Sequence, residues 1–168
     1  MVTHREKEVI LAGSLPEVGT PAPDFRLTLQ NLSDVSLADF KGRKLVLNIF
    51  PSIDTPTCAS SVRRFNALMS DVAETVVICV SKDLPFAQRR FCGAEGIENV
   101  ITGSQYKDTS FSDAYGVDMV SGTALSSLMS RAVVVIDRQG IVRYTEQVGD
   151  ISIEPDYEKV LNALSEVD

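Results

Sequence analysis

An α/β fold with a mixed central sheet between helices follows from three features of this sequence. Two short apolar runs, 45–50 (LVLNIF) and 75–81 (TVVICVS), read as strands covered on both faces, and each is followed by a stretch of helical period. A third run, 132–136 (AVVVI), leads through the turn Asp137–Gly140 into 141–148, the pattern of an antiparallel hairpin. Strand, helix, strand, helix, then a hairpin and a last helix places parallel and antiparallel neighbours in one sheet.

Each element has its own signal. Residues 3–19, ending in Pro16 and Gly19, read as a hairpin added in front of the core. Phe25, Leu27 and Leu29 alternate with polar residues at the period of a half-buried strand, and Asn31–Ser33 turn the chain into Val35 and Leu37. Gly42 separates this region from the strand at 45–50, which Pro51 ends by removing a ladder donor. Thr55 before Pro56 marks a helix start, and Val62, Phe65, Met69 and Val72 continue it as one apolar stripe. After 75–81, Asp83, Pro85 and the apolar set Leu84, Ala87 and Phe91 announce a short helix that Gly93 is expected to terminate. Val100 and Ile101 suggest a brief strand; Phe111, Ala114 and Tyr115 ahead of Gly116 suggest another short helix, followed by an irregular segment, 117–130. The last helix begins near Pro155 and presents Tyr157, Val160, Leu161 and Leu164 on one face. With no repeat, linker or low-complexity run, residues 1–168 are expected to form a single domain.

Composition narrows the function. A chain of 168 residues that is 44% hydrophobic suffices for one well-buried core, and a net charge of −7 argues against nucleic acid or an anionic membrane as the main partner. The only N-terminal apolar run, 9–12, is too short for a signal-peptide core, so a cytoplasmic location is expected. Three cysteines in a reducing compartment point to catalytic or buried thiols rather than a disulfide framework. The lone His4 sits in the polar N-terminus, and no Cys/His spacing resembles a zinc site, so neither metal nor cofactor is expected.

Cys58 is the residue around which chemistry is expected. It falls in the first turn of its helix, where unpaired N–H groups and the positive end of the dipole favour an anion, and for a thiol the thiolate is the reactive form. Thr55 is placed to accept from the Cys58 backbone N–H as a cap and to donate its O–H to the thiolate or a bound oxygen. Arg63 and Arg64, more than a turn away, read as solvated surface charges. Cys79, with apolar neighbours inside 75–81, reads as a core residue. No Cys-x-x-Cys, Gly-rich phosphate loop or Gly-x-Ser-x-Gly elbow is present, which sets aside dithiol exchange of the usual form, nucleotide binding and serine hydrolysis.

The string from Pro51 to Cys58, PSIDTPTC, matches the pattern Pro-x-x-x-Thr-x-x-Cys of the peroxiredoxins, which have a thioredoxin-like fold. Together with DLPFAQRRFCGAEG, RAVVVID and EPDYE, it resembles the bacterial thiol peroxidase subfamily over nearly the whole chain. The resemblance implies an atypical two-cysteine peroxiredoxin that reduces hydroperoxides, is recycled by thioredoxin and forms a homodimer. Carried over by position, Cys58 is the peroxidatic cysteine that becomes a sulfenic acid, Thr55 binds thiolate and peroxide, and Pro51 shields the pocket from water. Arg131 matches the arginine beside the sulfur, a role that its strand-end position alone does not suggest. Cys92 matches the resolving cysteine. Its place near a helix end disfavours a thiolate and allows fraying, which suits attack on a sulfenate better than attack on a peroxide. Because a disulfide needs Cα atoms within about 7 Å, both cysteine segments are expected to unwind locally to form it.

Met119, Val120, Leu125, Leu128 and Met129 are equally compatible with a groove for bulky peroxides, a dimer contact and ordinary core beneath a loop. Two other functional classes stay open at this stage: a one-cysteine peroxidase recycled by a small thiol, and a non-enzymatic redox sensor.

Overall fold

The computed structural model describes residues 1–167, and the predicted sheet is its frame. The strands are β1 (Val2–His4), β2 (Lys7–Leu11), β3 (Arg26–Thr28), β4 (Asp34–Ser36), β5 (Lys44–Ile49), β6 (Thr75–Ser81), β7 (Ile101–Ser104), β8 (Met119–Ser121), β9 (Ala132–Ile136) and β10 (Val142–Gln147). The helices are α1 (Pro56–Leu68), α2 (Pro85–Glu95), α3 (Ser110–Tyr115) and α4 (Tyr157–Glu166). Seven strands form the main sheet in the order β10-β9-β5-β6-β7-β3-β4. At its centre β5 runs parallel to β6 and antiparallel to β9, which makes the sheet mixed.

The continuous apolar runs are explained by two cores, one on each face. Along β5, Leu45, Leu47 and Ile49 point to one side with Phe25, Leu27, Phe111 and Tyr115. Val46 points to the other side, where Val62 and Phe65 of α1 and Val160 and Leu164 of α4 pack with Phe50. A strand buried on both faces needs no polar alternate positions. On the first side Phe25 meets Phe111 edge-on at 5.6 Å, Phe111 stacks on Tyr115 at 4.7 Å, and the Tyr115 hydroxyl donates to Pro23 O.

Two expectations need correction. Helix α2 does not stop at Gly93; it continues to Glu95 and ends at Gly96, whose φ of +65° is the left-handed conformation of a helix cap. The Cys92 carbonyl accepts from both Gly96 N–H and, at 3.0 Å, Ile97 N–H, while Ile97 packs on the core. Of two glycines, the one followed by an apolar residue that can bury itself stops the helix. The second correction concerns 117–130, which is not wholly irregular: β8 lies within it and joins the predicted N-terminal hairpin, β1 and β2, as a separate three-stranded sheet. Its partner strand is distant in sequence and its own pattern is only three residues long, so no local periodicity announces it.

Gly116, the cap of α3, has φ +66°, and a Cβ there would run into the Ser14 backbone. Strain at a left-handed position and collision with main chain add, so Gly116→Ala is expected to lower stability by about 2–4 kcal/mol. Guanidinium unfolding would measure it, and a change within experimental error would refute the tight approach.

Candidate active site

The end of β5 and the start of α1 build the site. After Ile49 the chain passes through buried Phe50 and Pro51 into a tight turn, 52–55, and enters α1 with Thr55 at the N-cap and Pro56 as the first helical residue. Thr55 has extended backbone, and its carbonyl accepts the first helical bond from Ala59 N–H at 2.9 Å. Cys58 is therefore the third helical residue, its side chain fully buried among Phe50, Ile53, Val62 and Phe65.

Arg131, brought in by the start of β9, donates from Nη2 to Cys58 Sγ at 3.4 Å. The guanidinium is 2% exposed, yet its hydrogen bonds go only to that sulfur and to Ile151 O, at 3.0 Å from Nε and 2.9 Å from Nη2. Its Nη1 is buried without a partner among the described residues. A buried cation that faces a sulfur and a carbonyl rather than a carboxylate favours an anion at the sulfur. The unpartnered Nη1 leaves a donor of the same guanidinium unused.

The remaining predicted residues are placed as follows. Pro51 is buried at the start of the turn and Thr55 is half-buried at its end. Thr55 does not cap Cys58 with its side chain: the hydroxyl donates instead to Ser52 O at 3.0 Å, beside the Thr55 N–H at 3.1 Å to the same carbonyl. The turn folds back on itself, and Ser52 O takes the proton that the cap arrangement reserved for the sulfur or a ligand. Cys92 lies on α2, 5% exposed, and burial pushes its thiol pKa up. All three cysteines are free thiols.

Arg63 and Arg64 are exposed, as expected, yet each has a partner. Arg63 makes a two-pronged contact with Glu95 of α2 at 2.8 and 3.1 Å and lies over the Phe91 ring, joining the helices that carry Cys58 and Cys92. Arg64 lies over the Tyr157 ring. Met119 and Met129 are fully buried and belong to the core, Leu125 and Leu128 pack beneath the loop, and Val120 is exposed.

Three supporting features lie outside the residues predicted from the sequence. The Ile151 carbonyl that holds Arg131 belongs to a segment whose own N–H donates to Thr3 O at 3.0 Å, so the N-terminal hairpin braces the guanidinium. Ser152 O receives the Thr57 hydroxyl at 3.1 Å, tying the same segment to the start of α1. Beneath Cys58, Ser61 Oγ donates to the Cys58 carbonyl at 2.8 Å and accepts from buried Asn48 Nδ2 at 3.2 Å. A buried amide within an apolar strand was the one available clue to that chain.

Comparisons with known proteins place the chain in a family. The Redoxin family model matches residues 17–161. The chain is 49% identical over 164 residues to a thiol peroxidase of Corynebacterium glutamicum, covering 97% of this chain and 98% of that one. It is 50% identical over 163 residues to a thiol peroxidase of Mycobacterium tuberculosis, covering 97% of each. Among solved structures, a peroxiredoxin-like protein from Aquifex aeolicus superposes with a TM-score of 0.92 at 35% identity, over 98% of this chain and 95% of that one. A thiol peroxidase from Chromobacterium violaceum has the same fold, with a TM-score of 0.89 at 21% identity over 98% and 95% of the two chains.

Cys79 supplies a pH signature separate from the chemistry at Cys58. Full burial pushes its thiol pKa up from 9.0 to about 12, with a weak opposing contact from Asn48 Nδ2. Because the folded value lies above the unfolded one, the contribution to stability is complete below pH 9 and is lost as pH rises toward 12. Relative to Cys79→Val, the native chain is expected to lose up to about 1.4 kcal/mol per pH unit in that window. Denaturation midpoints of the two chains measured from pH 8 to 11 would check this, and parallel curves would refute it.

Proposed function

Since the chain belongs to the redoxin family and, within it, to the thiol peroxidases, we propose that it reduces hydrogen peroxide and organic hydroperoxides through a Cys58 sulfenic acid and an intramolecular Cys58–Cys92 disulfide, with thioredoxin as its reductant. The observation that carries this reading is the Arg131 guanidinium, buried and 3.4 Å from Cys58 Sγ, with a free N–H beside it.

In the first step the Cys58 thiolate attacks the terminal oxygen of the hydroperoxide. An S–O bond forms, the O–O bond breaks, and the departing alkoxide takes a proton and leaves as an alcohol, or as water when the substrate is hydrogen peroxide. Negative charge moves from sulfur to the leaving oxygen. Nη2 on the sulfur and Nη1 beside it give Arg131 a donor for each end of that shift, and neither has to move. Thr55 turns its hydroxyl from Ser52 O to the bound peroxide, and Pro51 keeps water from the sulfur. In the second step the Cys92 thiolate attacks the Cys58 sulfur, the S–S bond forms, and the sulfenic oxygen departs as water. The raised pKa of Cys92 suits this order, because its thiolate is scarce until α2 opens and the thiol meets solvent. A dithiol such as reduced thioredoxin then takes over the disulfide and returns both cysteines to thiols. A homodimer in the cytoplasm completes the reading, in keeping with the resemblance.

Peptide mapping with thiol counting, before and after one equivalent of cumene hydroperoxide, tests the cysteine assignment. Loss of two thiols with a Cys58–Cys92 crosslink inside one chain is expected. Loss of one thiol as a sulfenate would assign a one-cysteine mechanism, and no loss would remove the peroxidase reading. Arg131→Met is expected to slow Cys58 oxidation about 100-fold, the loss typical of a donor at developing charge. A wild-type rate by stopped-flow kinetics would exclude that role.

A further inference from the structure

The turn that presents Cys58 does not hold itself. Its internal bonds are the two from Thr55 to Ser52 O and a weak one from Asp54 N–H to Ser52 Oγ. The other donors of its first half go to one carboxylate outside it. Asp83, between β6 and α2, accepts from Ser52 Oγ at 2.8 Å and from Ile53 N–H at 2.7 Å. Ile53 is fully buried, so without Asp83 its N–H is left without its acceptor at a cost of about 1–3 kcal/mol.

The same carboxylate is tied to α2. Ser81 Oγ donates to Asp83 Oδ2 at 2.5 Å and accepts from Gln88 Nε2 at 3.2 Å. Gln88 is fully buried one helical turn before Cys92, and its Nε2 also reaches Gly103 O on β7 at 3.2 Å. The Asp83 carbonyl takes the Ser104 hydroxyl. A continuous polar chain thus runs from the turn ahead of Cys58 to the helix that carries Cys92. Two ion pairs span the same gap, Asp54 to Arg90 at 3.1 Å and Arg63 to Glu95 at 2.8 Å. Both are largely exposed and therefore weak, which leaves Asp83 as the principal connection.

We propose that Asp83 is a positioning residue: its carboxylate holds the 52–55 turn in the shape that presents Thr55 and Cys58, and through Ser81 and Gln88 it makes that turn and α2 open together. This rests on the reading that Cys58 attacks peroxide and Cys92 resolves. Unwinding the start of α2 withdraws Asp83, which frees Ser52 and Ile53, and release of Ser52 removes the tether of Thr55 at the head of α1. One event exposes both cysteines, so the site stays closed while it reacts with peroxide and opens as a unit for the disulfide.

The test uses Asp83→Ala and Asp83→Asn, each with Cys92→Ser so that only the first step is read. The readouts are the second-order rate of Cys58 oxidation by hydrogen peroxide and amide exchange in peptides 51–58 and 85–95 of the reduced chain. Alanine is expected to slow oxidation about tenfold, a misplacement effect, and to speed exchange in both peptides. Asparagine keeps the shape and part of the bonding, so it folds even if alanine does not, and about a threefold loss is expected, in the same direction. Asp156→Ala serves as the structural control, because its bonds, to Glu146 and Lys159, involve neither segment, and is expected to change neither readout. A wild-type oxidation rate in both Asp83 variants, faster exchange in 51–58 alone, or an equal loss in Asp156→Ala would overturn the proposal. Should the chain with Cys92 intact form no Cys58–Cys92 crosslink, the resolving role fails instead, while the oxidation rates still report on Asp83.

Discussion

A buried guanidinium without a carboxylate is the constraint on which the site depends. Folding places Arg131 at 2% exposure, satisfies Nε and part of Nη2 with a single carbonyl, and directs the remainder toward Cys58 Sγ. An ion pair would have made this burial less costly and also spent the charge. Leaving the cation open to the sulfur transfers the cost to the rest of the fold: two apolar cores on a seven-stranded sheet, and a second small sheet whose Thr3 bonds the 149–151 loop. The candidate site draws on three points along the chain, Thr55 to Cys58, Arg131 and Ile151, and the adjacency of β5 and β9 brings them together.

Much of this was legible in the residues, for identifiable reasons. The strands at β5, β6 and β9 are apolar at nearly every position, and the Thr-Pro start of α1 is a local signal that needs no tertiary context. Cys58 was locatable because a thiol in the first turn of a helix has few structural reasons to be there. Arg131 was not, since a cation opening a strand is ordinarily solvated, and only the resemblance to a family pointed to it. The Thr55 hydroxyl was directed to the wrong acceptor because the turn before it folds back, and that path is set by long-range contacts. The same holds for β8, three residues long, and for Asn48 and Ser61, whose pairing depends on how α1 sits over β5.

Helix α2 is held to the protein more by polar contacts than by apolar burial. Its last turn is closed by two N–H groups on the Cys92 carbonyl, and its first is joined to the protein by hydroxyls and one carboxylate. Beyond Gln88 and Cys92, few of its residues are buried, and Phe86 near its start is 61% exposed. Little apolar area is lost when such a helix unwinds, so the barrier lies in polar contacts, which water can replace. That division, apolar for the sheet and polar for the helix, means that the proposed opening of α2 would leave the two cores intact.

The hairpin bears on how the protein is handled in the laboratory. Thr3 clasps the loop on both sides, donating to Gly149 O at 2.8 Å and accepting from Ile151 N–H at 3.0 Å, and Ile151 O in turn holds Arg131. Thr3 is thus three hydrogen bonds from the Cys58 sulfur, through Ile151 and Arg131. Removing residues 1–4, or crowding them with a fused tag, therefore takes away contacts that hold the 149–151 loop, and with them part of what fixes the arginine.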